Sequence, residues 1–431
     1  MQVKSPAKKV TSQKPKTKKG FKEILKIIGP GVVTGASDDD PSGIATYSQA
    51  GAQFGLATLW SALITFPLMA SIQETCARIG MVTSQGLTSI LKKNYSKKVL
   101  YTMLVFSAPG IVLNIGADIA GMGAVANLLI PSIPPAVFTV TFTGILMAMI
   151  IYLPYEKFAK ILKYLCLFLL CYLVVPFFVK LNWGEVLKST VIPTIKFNKD
   201  FVGILVAILG TTISPYLFFW QASMEVEDIK EQKRKIIVNH KVINKMTKDV
   251  SFGMFFSNVV MYFIILTTGA VLFKGGIHHI NTVEQAAKAL EPLAGKYAYA
   301  LFSLGVIGTG FLAIPVLSGS LSFMFAETFG WKQGLNKKFH QARPFYIIII
   351  ISLILGLLLN YIGISPVQGL IYTAILYGVT SPILIAIIMH IANNKKIMKE
   401  FTNNKWSNFL GAITLLLMTA AAIALLYFQF K

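Results

Sequence analysis

Long apolar runs separated by short polar ones carry the chain from about residue 24 to its end. Spanning helices are predicted at roughly 24–54, 56–80, 99–130, 135–153, 158–180, 201–229, 250–273, 297–326, 344–362, 367–391 and 406–429. Two of these runs are interrupted. Asp38-Asp39-Asp40-Pro41-Ser42-Gly43 breaks the first, and Thr211-Thr212-Ile213-Ser214-Pro215-Tyr216 breaks the sixth. Proline removes a backbone donor and clashes with the preceding turn, and Gly43 tolerates the backbone of an unwound segment. The apolar flanks of the first break, 24–33 and 44–56, are too short to span a bilayer separately. A discontinuous transmembrane helix is therefore expected, in preference to a polar loop between two interfacial helices.

The charge pattern adds an orientation. Basic residues cluster in alternate loops: Lys92, Lys93, Lys97 and Lys98; Lys157, Lys160 and Lys163; Lys230, Lys233, Arg234 and Lys235; Lys332, Lys337, Lys338 and Arg343; Lys395, Lys396, Lys399 and Lys405. Cytoplasmic loops carry such an excess, so the pattern predicts eleven spans with the N-terminus inside and the C-terminus outside. Residues 1–22 read as a disordered, basic cytoplasmic tail. Two five-helix halves, 23–180 and 201–391, then precede a last helix at 406–429. Each half opens on a broken helix, with a glutamine beyond the proline (Gln49 and Gln221). That is the sequence signature of an inverted-repeat transporter with its site near the midplane.

Composition narrows the class. Of 431 residues, 55% are hydrophobic and only 13% charged, which describes a polytopic protein of the cell membrane. The net charge of +22 reflects the loop lysines rather than a nucleic-acid surface. Cys76, Cys166 and Cys171 lie in apolar runs at spacings that suit neither zinc nor a disulfide framework.

Ionisable side chains inside a spanning segment point to function, and Asp40, directly before the proline, is the leading candidate for a cation ligand. Asp38 and Asp39 are weaker candidates, because successive helical residues point in different directions. Three ionised carboxylates in one low-dielectric turn repel, so at least one should hold a cation, a water or a proton. The Ser37 carbonyl, freed at the end of the first half-helix, and the Thr211 carbonyl and Ser214 hydroxyl at the other break complete an oxygen-donor set. Asp118 is the single acid of the third run, in NIGADIAGMGA. Glu156 and Glu327 sit at segment ends and read as interfacial; His278 and His279 read as surface.

GPGVVTGASDDDPSGIATYSQAG, QETCARIGMVTSQGL, GADIAGMGA and the proline-broken sixth helix together resemble the Nramp divalent-metal transporters over nearly all of residues 24–390. The resemblance implies a LeuT-like fold and uptake of divalent transition metals coupled to protons. It places the metal-binding aspartate at Asp40. It also implies an asparagine where Gly43 stands, a Met-Pro-His where Ser214-Pro215-Tyr216 stands, and a glutamate where Gly121 stands. These departures resemble the branch of Nramp-related magnesium transporters. Ligand chemistry agrees: a thioether favours soft transition metals, whereas carboxylates, hydroxyls and carbonyls suit Mg²⁺ and Mn²⁺. Mg²⁺ keeps several waters, and Gly43 and Ser214 are expected to leave room for them. The expectation is a transporter, not an enzyme, working as a monomer without cofactor. It would import Mg²⁺, with Mn²⁺ second, and without proton coupling, since Tyr216, with a side-chain pKa ordinarily near ~10, replaces a histidine relay. A proton-coupled Mn²⁺/Fe²⁺ carrier and a Na⁺-coupled organic-solute carrier are the alternatives. Three aspartates beside the half-helix end would repel an organic carboxylate, which counts against the last.

Overall fold

The computed structural model describes residues 29–154, 169–231, 238–361 and 363–430, and among them every regular element is helical. The basic tail, about half of the fifth predicted span (158–168), Glu156, Cys166 and part of the basic loops lie outside those residues. The first predicted helix is two helices: α1 (Pro30–Asp38) and α2 (Pro41–Phe54). There follow α3 (Trp60–Thr83), a short amphipathic α4 (Leu87–Asn94), α5 (Lys97–Leu129) and α6 (Pro135–Tyr152). A surface helix α7 (Trp183–Val191) precedes the second broken pair, α8 (Lys199–Thr212) and α9 (Pro215–Glu231). The remainder is α10 (His240–Thr268), α11 (Ala298–Phe329), α12 (Arg343–Leu359), α13 (Pro366–Asn393) and α14 (Lys405–Phe430). Helix α10 begins ten residues before its predicted start at 250. Asn239 explains the early start: its side chain accepts from the Val242 amide, so the polar stretch before the span is capped into the same helix. Seven of the described helical stretches are long and apolar enough to cross a membrane by length and composition.

Both breaks are capped rather than frayed. Asp40 is extended (φ −70°, ψ 170°) and accepts the Gly43 amide through its side chain, with Pro41 as the first helical residue of α2. Proline is well tolerated there, because that position's N–H has no helical partner to lose. The unwound segment is therefore only Asp39 and Asp40. Gly43 lies inside α2 without a positive φ, which corrects the expectation that it supplies the unwinding.

Helix α5 runs through the middle of the bundle, packed against α2, α6, α11, α12 and α13; α1 lies along α10, and α8 along α13. Two of these approaches are backbone to backbone. A Cβ on Gly35 or Gly253 would collide with the facing helix at the α1–α10 contact, and one on Gly210 would strike Ala374 and Gly378 of α13. Small residues permit such contacts where lipid removes any hydrophobic drive between helices. Val105, Val140, Leu355, Leu416 and Ile423 remain exposed on the outside of the bundle, as an apolar belt facing lipid requires.

Candidate cation site at the paired helix breaks

The two interruptions meet. Tyr216, the second residue of α9, donates through its hydroxyl to the Ser37 carbonyl at 3.1 Å. Ser42 and Thr211 face each other with hydroxyls 3.4 Å apart, and the Tyr47 and Thr212 hydroxyls are 3.1 Å apart. Every carboxylate of the motif is buried: Asp38, Asp39 and Asp40 are 0%, 2% and 1% exposed. A buried charge is costly unless it is paired and hydrogen-bonded, so the disposition of each one matters.

Asp40 is held by three donors. Its Oδ1 accepts from the Gly43 amide at 2.7 Å and the Ser42 hydroxyl at 2.8 Å, and its Oδ2 accepts from Asn114 Nδ2 on α5 at 2.9 Å. All three favour the ionised form. Asp38 and Asp39 turn the other way, toward α10. The Ser257 hydroxyl lies 2.8 Å from Asp38 Oδ2 and 3.2 Å from Asp39 Oδ1, and Asp38 Oδ1 has no hydrogen-bond partner. Among the described residues no three His, Cys, Asp or Glu side chains converge as a metal cluster, so the aspartates do not share one point.

At the second break the donors face inward on themselves. The Ser214 hydroxyl donates to the Thr211 carbonyl at 2.5 Å, with the Gly210 carbonyl 3.1 Å away, so the two oxygens nominated there satisfy each other. Gly43 lies against Thr211, but without spare room. A Cβ built on it would stand 3.3 Å from the Asp38 carbonyl and 3.4 Å from both Asp40 Oδ1 and Thr211 Oγ1. The volume expected from the loss of a side chain is filled by α8.

Asp118 and Gly121 approach the first break from α5. Both Asp118 oxygens are buried without a side-chain hydrogen-bond partner; the Ser42 backbone amide is directed at the carboxylate and the Asp40 charge lies beside it. Gly121 lines a small cavity with Pro41 and Ile44. Gln221 does not join this group. It sits farther along α9, where its Oε1 accepts from Thr34 at 2.5 Å and its Nε2 donates to Glu225 at 2.9 Å. Gln49 points to the opposite end, bonded to the backbone of His278 and Ile280.

Glu327 differs from its sequence reading. It is 5% exposed, not interfacial, and accepts from the Ser89 amide at 2.9 Å and the Ser223 hydroxyl at 3.3 Å. Helix α4 folds back so that its first turn caps onto this carboxylate. Asn114, Ser257 and Thr373 were missed as site residues. For Asn114 a signal existed: it lies four residues before Asp118 and so shares its helical face.

Discontinuous helices meeting at a buried polar centre define a LeuT-like secondary-transporter fold. Comparison with known proteins places the chain within it: the model of the Nramp (natural resistance-associated macrophage protein-like) family matches residues 31–428, and the chain belongs to that family. It is 24% identical over 420 residues to the divalent metal cation transporter MntH of Caldanaerobacter subterraneus, covering 95% of each chain. To the MntH of Bacillus subtilis it is 23% identical, covering 98% of this chain and 99% of that one. Among solved structures, the manganese transporter of Eremococcus coleocola superposes with a TM-score of 0.73 at 16% identity, covering 96% of this chain and 89% of that one. Mhp1, a nucleobase-cation-symport-1 family transporter in a closed conformation, superposes with a TM-score of 0.57 at 14% identity, covering 93% and 91%. At those identities the structural likeness is one of fold.

Proposed function

We propose that the protein imports divalent cations across the cell membrane, with Mg²⁺ as the favoured ion, Mn²⁺ second, and Asp40 as the charged ligand. The observation that carries this reading is the donor set around Asp40. It consists of the carboxylate with the Ser42 and Thr211 hydroxyls beside it and the Ser37 carbonyl at the end of α1, all of them hard oxygen donors. Such ligands suit Mg²⁺ and Mn²⁺ over softer metals. The relatives named as divalent metal cation transporters support the ion class. In this reading the chain makes eleven spans with its N-terminus in the cytoplasm, and residues 23–180 and 201–391 are inverted repeats.

Transport in this reading is driven by voltage. A divalent ion entering a negative-inside cell gains roughly 4.6 kcal/mol per 100 mV, twice the single-charge value, which supports accumulation without protons. Tyr216 is committed to the Ser37 carbonyl and stands where a histidine relay would be. A proton-coupled mode is the second reading, and the observation in its favour is Asp118, a buried acid beside Asp40 with no side-chain hydrogen-bond partner. Proteoliposomes loaded with a pH dye separate the two. Voltage-driven entry predicts Mg²⁺ or Mn²⁺ uptake with no acidification. Acidification that tracks ion entry and vanishes in Asp118→Asn would establish coupling.

A further inference from the structure

Asn114 occupies a place that neither a cap nor core packing explains. It is wholly buried on α5, donates through Nδ2 to Asp40 Oδ2 at 2.9 Å, and accepts through Oδ1 from the Thr373 hydroxyl of α13 at 3.0 Å. The Thr373 hydroxyl has one proton and two acceptors, because the Leu370 carbonyl is 2.8 Å away. Thr373 is therefore satisfied in either of two states. It donates to Asn114, or it donates to Leu370 and accepts a hydrogen bond from the asparagine amide. The Tyr377 hydroxyl, one turn farther along α13, is buried and turned toward the Asn114 side chain, with the Asp40 and Asp118 carboxylates nearby.

We infer that Asn114 is a two-position amide, turned one way in the empty transporter and the other way when an ion binds. With no ion, its NH₂ faces the Asp40 carboxylate and holds it in place. When a divalent cation docks on Asp40, a positive charge stands where the NH₂ points, and donor and cation repel. Rotation of the amide presents Oδ1, a hard neutral oxygen, to the ion's coordination sphere, and turns Nδ2 onto Thr373 Oγ1, which then donates to Leu370. No hydrogen bond is lost in the exchange. The buried Tyr377 hydroxyl, beside Asn114, is at hand for a water that the ion keeps. Asn114 thereby supplies from α5 the amide that the resemblance finds missing at Gly43.

This inference rests on Asp40 as the cation ligand, and the test separates the two. Full-length protein is titrated calorimetrically with Mg²⁺ and Mn²⁺, and its melting temperature is recorded with and without each ion. If the wild type takes up neither ion, the cation reading itself fails. If it does, Asn114→Leu, close in size but without polar atoms, is expected to weaken Mg²⁺ binding roughly tenfold or more. The ion-induced rise in melting temperature should shrink with it. A purely structural asparagine would lower the melting temperature of the empty protein and leave that rise unchanged, which overturns the inference. Asn114→Asp separates donor from acceptor and serves also if the leucine variant does not fold. In its ionised form, the form that binds the cation, it cannot donate to Asp40 but can offer an oxygen to the ion. It is expected to destabilise the empty protein yet bind Mn²⁺ within about threefold of wild type, or tighter, because a carboxylate is a hard ligand too. If Asn114→Asp loses binding as fully as Asn114→Leu, the residue acts only as a donor and the two-position assignment is wrong.

Discussion

The two helix breaks are built from the same parts and do opposite things. Each is a short non-helical segment, Asp39-Asp40 or Ile213-Ser214, closed by a proline at the first position of the following helix. At the second break the polar groups are neutral, and one remote hydroxyl completes what the break supplies itself. Ser214 donates to the α8 carbonyls, and Ser381 of α13 donates to the Ile213 carbonyl at 3.2 Å. At the first break local groups are too few. Asp40 needs Asn114 from α5, Asp38 and Asp39 need Ser257 from α10, and Asp38 Oδ1 is left over. A break with only neutral groups, nearly satisfied from within, contributes shape and carbonyl dipoles. One that recruits donors from two remote helices concentrates charge, and in low dielectric the charge dominates binding. In the proposed reading the first break is the ion-binding half, and the second is the wall it works against.

Removing that charge should have the largest effect. Asp40→Asn keeps the side chain's size and, because asparagine is also a good N-cap, keeps α2 in place. Uptake of Mg²⁺ and Mn²⁺ in proteoliposomes is expected to fall below detection while expression and melting temperature hold; wild-type uptake would remove Asp40 from the site. Ser257→Ala comes next. It leaves two buried carboxylates without their shared hydroxyl, and an unmet buried acceptor costs about 1–3 kcal/mol. A lower melting temperature that added Mn²⁺ does not restore is expected; a variant as stable as wild type would mean that Asp38 and Asp39 do not need Ser257. The smallest change tests the second break. Ser214→Met removes the hydroxyl that occupies the Thr211 carbonyl and adds a thioether. Calorimetry should show the Cd²⁺-to-Mg²⁺ preference rising about tenfold. An unchanged ratio would show that this wall has no part in selectivity.

What the sequence made legible here is the covalent logic of the breaks. Asp-Pro and Ser-Pro in apolar runs announce discontinuous helices, because proline's missing donor and fixed φ act wherever it stands. The membership of the site was less legible. Asn114 reaches Asp40 across 74 positions and Ser257 reaches Asp38 across 219, and nothing local in either helix encodes the meeting. Gly43 was misjudged for a related reason: a glycine signals backbone freedom, but here its value lies in what faces it, the Thr211 hydroxyl and the Asp38 carbonyl. Glu327 shows the same limit. Its place at the end of an apolar run suggested the interface, yet the α4 turn that covers it comes from more than two hundred residues away, with the Ser89 contact separated by 238 positions. Gln49 and Gln221 look equivalent in sequence and are bonded to opposite ends of the molecule.

Anomalous scattering from Mn²⁺ in crystals of the full-length protein tests most directly whether the first break carries the ion through Asp40. A single strong peak within direct-ligand distance of an Asp40 oxygen, facing Thr211 and Asn114, is predicted. A peak held by Asp38 and Asp39 at Ser257, with Asp40 still bonded as in the empty protein, would contradict it.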